Sequence, residues 1–95
     1  MKALACVLLV AGCRMQPPEV TAIDADRAHV ELAQLQEGRT LLIQKCGSSC
    51  HQTPRPSDHT AAEWPHKLDE MSARAGLNGR QRSLIEKYLI TMARK

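Results

Sequence analysis

Apolar side chains recur along this chain at helical rather than alternating intervals. The clearest run is near the C-terminus, where Leu84, Ile85, Tyr88, Leu89 and Met92 form one stripe with Arg80, Arg82, Glu86 and Lys87 off it. Asn78, followed three residues later by Gln81, has the spacing of a capping box that would open this helix. Before it, Trp64, Leu68, Met71 and Ala75 fall on one face of a second helix. Thr60 and Glu63 have capping-box spacing, yet Pro65 would delete a hydrogen bond if Thr60 were the cap. A start at Trp64, with Pro65 at the first helical position and Gly76 as the stop, avoids that loss. A third helix is expected to begin at Asp24 or Asp26 and run toward Lys45, with Val30, Leu35, Leu42 and Ile43 supplying its stripe. Gly38 interrupts it at a cost of about 1 kcal/mol relative to Ala, which asks for a packing reason. The stretch from Gly47 to Asp58, with Pro54 and Pro56, predicts a loop. No segment alternates as a strand does, so the expected fold class is all-α.

The first twelve residues differ in kind. Met1-Lys2 precedes an apolar run from Ala3 to Ala11 that is too short to span a bilayer and suits an export signal. It ends Leu8-Leu9-Val10-Ala11-Gly12-Cys13, which resembles the lipobox of bacterial lipoproteins, with Val10 where that motif prefers Leu. The resemblance implies removal of residues 1–12 and diacylation of Cys13, enough for stable anchoring on a membrane. It also implies the periplasmic side of a bacterial membrane, and the outer membrane in a Gram-negative cell because Arg14 rather than Asp follows the Cys. Residues 13–23, with Pro17-Pro18 and no periodicity, are expected to be a lipidated tether, and residues 24–95 the folded domain.

Composition then narrows the chemistry. The 83 residues left after cleavage are few for a core to hold without a cofactor, metal or disulfide. Phe is absent, and Trp64 and Tyr88 are the only large aromatic rings. Something else is expected to fill the interior. With Lys2 lost, 12 basic face 10 acidic side chains, a balance too even to suggest a nucleic-acid partner. From Met71 to Lys95 six basic residues stand against Glu86 alone; an ordinary solvated face is the favoured reading over a surface for an acidic redox partner.

With Cys6 lost and Cys13 lipidated, the mature chain keeps Cys46 and Cys50, followed at once by His51. Two close thiols and an adjacent imidazole are the parts that attach haem c: each thiol adds to a vinyl group, and His51 takes the proximal position on the iron. Three residues separate the cysteines where two are usual, a rarer spacing of the motif. The same residues would also suit a small disulfide, a zinc site shared with His59 or His66, or a copper site in an exported metal-binding lipoprotein.

The flanks favour haem. Gly38 lies eight residues before Cys46, Leu42 four before it, and Tyr88-Leu89 sits in the last helix. This pattern resembles the class I cytochromes c, although Leu42 stands where the family usually has an aromatic residue. The resemblance spans roughly residues 30–92 and implies three main helices around one covalent haem, with the first and last crossing at Gly38. It implies a non-enzymatic electron carrier or electron-transfer subunit that exchanges electrons with a redox partner or oxidoreductase. Met71, twenty residues after His51 and seven before Asn78, matches the family's second axial ligand. His59 and His66 are its rivals, and a labile sixth site would make the protein a haem-based sensor.

Overall fold

In the computed structural model, which describes residues 16–47 and 53–94, local capping chemistry sets most of the helix starts. Asp24 N–H donates to Thr21 Oγ1 at 3.3 Å, and Thr21 N–H donates to Asp24 Oδ2 at 2.9 Å. That reciprocal box opens α1, Ala22–Ala28, with its cap at Thr21, three residues ahead of the first expected cap, Asp24. The helix stops at His29, whose backbone is left-handed (φ 58°). The chain restarts at Glu31 into α2, Leu32–Leu41, whose last turn widens into a π turn, Leu42–Cys46.

The single helix expected from Asp24 or Asp26 to Lys45 is therefore two. The reversal at His29 lets the short α1 fold back to touch both α2 and the last helix. A straight helix would have carried it away from both.

Farther on, Thr60 N–H donates to Glu63 Oε1 at 2.8 Å, and Trp64 N–H reaches the Thr60 carbonyl at 3.2 Å. This turn leads into α3, Trp64–Ala75, which carries Pro65 as its second residue, one later than expected, and ends at Gly76 (φ 66°) as expected. Asn78 and Gln81 close their box at 2.8 and 3.0 Å and open α4, Gly79–Thr91. A short 3-10 turn, Pro56–Asp58, interrupts the loop and touches α4. Thr60 and Arg94 form an isolated bridge, Arg94 N–H donating to the His59 carbonyl at 3.2 Å, and no strand forms among the described residues. The fold is all-α.

The core lies where α2, the π turn, α3 and α4 meet. Leu35, Leu42, Cys46, Trp64, Leu68, Ile85, Tyr88 and Leu89 are all buried there. Helices α2 and α4 make the dominant contact, and Gly38 permits it. A Cβ at Gly38 would overlap the Leu84 carbonyl oxygen and stand 2.8 Å from its carbon and 3.0 Å from Tyr88 Cβ. The obstacle is mostly backbone, so the helices would have to separate.

The stretch before α1 is packed rather than free. Pro17 and Val20 are buried, and the Arg39 Nε–H donates to the carbonyls of Pro17 (3.1 Å) and Pro18 (3.2 Å). Tyr88 Oη donates to the same Pro18 carbonyl. The physical cause is simple: a buried phenol and a guanidinium need acceptors, and a proline-rich segment offers carbonyls without competing N–H groups. No helix among the described residues is long and apolar enough to cross a membrane.

Candidate functional site

Cys46 ends the π turn with its side chain in the core, 1% exposed. Such wide turns often occur where a helix presents a functional side chain. The chain leaves the helix at Gly47 and is described again from Thr53, and these two residues lie together. A Cβ on Gly47 would come within 2.9 Å of Thr53 Oγ1 and against the Ile43 carbonyl oxygen. Cys50 and His51 fall between them, outside the described residues, as does Cys13.

Met71 projects from the same face of α3 as Trp64 and Leu68. It is half-buried and packs on the core cluster to which Cys46 belongs. Helix α3 also touches the π turn directly. Of the four haem-motif and ligand residues expected from the sequence, the structure thus brings Cys46 and Met71 to one core. Beside Met71, the Ser72 hydroxyl is buried with no hydrogen-bond partner among the described residues. An unsatisfied hydroxyl in such a place costs about 1–3 kcal/mol unless an acceptor reaches it.

The rival histidines sit differently. The His59 ring meets Trp64 edge-on, 4.9 Å between centroids, and its Nδ1 lies 3.8 Å from Glu63 Oε1. Trp64 in turn donates its Nε1–H to the Pro56 carbonyl at 2.9 Å. His59 thereby belongs to a clamp that joins the loop, the start of α3 and the C-terminal Arg94, whose Nη2 is 3.8 Å from Glu63 Oε1. The hydrogen bond from the Thr60 backbone is the main reason the Glu63 carboxyl titrates below its ordinary value. His66 and His29 are exposed. Among the described residues, no three His, Cys, Asp or Glu side chains gather as a metal site.

Three of the six basic residues in the C-terminal run, Arg80, Arg82 and Arg94, stand beside carboxylates. Arg80 reaches both oxygens of Glu37 at 2.8 and 3.0 Å, and Arg82 lies 2.7 Å from Asp69 and 3.8 Å from Glu86. Such surface pairs add little stability. At these three positions they place opposite charges side by side on the surface.

Arg39 and Tyr88, which bind the Pro17–Pro18 carbonyls, are the residues sequence reasoning missed. Burial pushes the Tyr88 hydroxyl up to about 12, against the lowering influence of Arg39. A sequence signal did exist, since the one Tyr in a buried stripe must find an acceptor for its hydroxyl. Its partner, 70 residues away, could not be named from spacing.

Comparison with known proteins adds no relative: no family model, no curated protein and no solved structure matches this chain.

Proposed function

We propose that the chain is a membrane-anchored, monohaem c-type cytochrome of the class I fold that passes electrons to and from a redox partner on the periplasmic side. The observation that carries this reading is the placement of Cys46. Its side chain lies in the core at the end of the Gly38 helix, and Met71 packs on the same cluster.

The residues present fit a haem. Cys46 and Cys50 would hold it as thioethers, with His51 and Met71 as axial ligands. Covalent reach keeps the unseen partners near: Cys50 is four residues from Cys46, at most about 14 Å of chain. The thiols would bond the vinyl groups, and imidazole with thioether is the donor pair of cytochrome c iron. Bound there, haem c supplies a one-electron iron couple.

The chain's own residues do the rest. A thioether ligand raises the reduction potential, and the apolar side chains Leu35, Leu42, Trp64 and Leu68 keep water from the centre, which favours the less charged reduced state. Two protein ligands leave no position for a substrate, so the protein carries electrons and catalyses nothing itself. Nothing in its charge balance invites nucleic acid. The lipid on Cys13 supplies the membrane attachment, in the outer membrane if the cell is Gram-negative.

Carbon monoxide tests this function. The ferrous spectrum of the wild type should not change with the gas, whereas Met71→Ala should bind it readily and lose potential. A wild-type spectrum that shifts at once would make the protein a sensor instead. Bound copper or zinc by elemental analysis, with no Soret band, would make it a metal-binding lipoprotein. An unchanged Met71→Ala spectrum would move the sixth ligand to His59 or His66.

A further inference from the structure

The first described residues are clipped to the domain at its tightest point. Arg39 follows Gly38 on α2, and Tyr88 faces Gly38 from α4, so the two donors that hold Pro17 and Pro18 stand on either side of the helix crossing. Pro17 is buried and Val20 nearly so. Only three residues separate Cys13 from Pro17, and the four steps between them extend to at most about 14 Å. A lipid on Cys13 therefore cannot hold this domain at a distance from the bilayer.

The surface just beyond the clip is suited to that closeness. Ile23, in the first turn of α1, is 73% exposed, the most exposed large apolar side chain among the described residues. Arg27 lies one turn on along the same face. Arg27, Lys87 and Ile90 line an open groove between α1 and α4, and Ile90, 37% exposed, is the other large apolar side chain left uncovered. Arg27 is already paired with Asp24 at 2.9 Å, so the attraction is apolar more than ionic. Isoleucine beside a cation suits the boundary between acyl chains and headgroups.

We propose that residues 17–20 are a strap that holds the domain flush on the lipid surface, with the Ile23 face of α1 turned into the headgroup region. The proposal rests on the lipidation of Cys13. It replaces a loose tether with a fixed orientation, so that one side of the domain is always presented to partners.

The test uses the full mature chain in phosphatidylcholine vesicles. Ile23→Cys carries a nitroxide, and the unsubstituted protein, labelled in parallel, corrects for any other thiol. Power saturation compares collisions with oxygen and with a water-soluble nickel chelate. The strap predicts that oxygen outweighs the chelate several-fold at position 23. In Arg39→Ala, and in Tyr88→Phe, which keeps the packing ring, the ratio should fall toward that of unlipidated Cys13→Ala. A label as open to the chelate as in Cys13→Ala, on protein that still sediments with the vesicles, overturns the proposal alone. A label that stays immersed in both variants overturns the role of the strap. Wild-type protein that does not sediment with vesicles overturns the lipid anchor and the proposal with it.

Discussion

Two residues, Gly38 and Tyr88, decide how closely the two longest helical segments approach. At Gly38 a methyl group would meet backbone, not a movable side chain, so relief requires the helices to part. Gly38→Ala should destabilise by about 1–3 kcal/mol, the usual cost of overpacking, even after helix propensity returns up to about 1 kcal/mol. Gly79→Ala, with nothing within 4 Å of the added carbon, should be neutral or slightly stabilising. Denaturant midpoints of the two variants check the contrast. The need for Gly38 was legible in the sequence, because a glycine inside a helix costs about 1 kcal/mol and asks for a packing reason. Tyr88 was legible only as a buried ring. Its hydroxyl ordinarily titrates near 10 and is pushed to about 12 by burial, so the neutral form is the one the fold holds. That contribution to stability is complete below pH 10 and is lost as pH rises toward 12. The thermal midpoint should accordingly fall over that window, and Tyr88→Phe should remove the phenol's share of the fall.

Among the elements, α1 is the weakest. It has seven residues and buries only Ala25, against four buried side chains in α4. Its stability leans on the Thr21–Asp24 box, and the backbone hydrogen bond from Thr21 is the largest cause of the lowered Asp24 titration. A depressed carboxyl contributes stability above its ordinary range and loses it as pH falls through the folded value. Amide exchange should therefore show α1 opening first in acid while α4 stays protected. Thr21→Ala should bring the same opening at neutral pH, at a cost of about 1 kcal/mol. A variant in which α1 and α4 exchange together would refute this ranking. The starts of α3 and α4 and the stop at Gly76 could be read from sequence because caps and left-handed glycines act within a few residues. The break at His29 could not, since a histidine in a left-handed conformation is held there by the fold-back of α1 on α2 and α4 and not by its own preference. One cue was present: Val30 lies off the stripe that Leu35 and Leu42, seven apart, would share on a single helix.

For the molecule as a whole, the placement of Cys46 and Met71 follows from α2 with its π turn, read as part of a longer helix, and from α3, read from periodicity much as it stands. The clamp of His59, Trp64, Glu63 and Arg94 and the strap on Tyr88 join residues far apart in the chain, and no local pattern announces such contacts. The strap ties the first described residues to the helix crossing and the clamp ties Arg94 to the start of α3, while Cys46 and Met71 share the interior cluster. The central claim is that this interior holds one covalent haem. The most direct measurement is the pigment itself, in the mature protein purified from a strain with active haem attachment. The account predicts a ferrous spectrum with a sharp α-band, and a haem stain that stays with the polypeptide on a denaturing gel but is lost when Cys46 and Cys50 are both replaced by Ser. A well-folded, colourless protein, or a pigment that separates from the chain on denaturation, would contradict it.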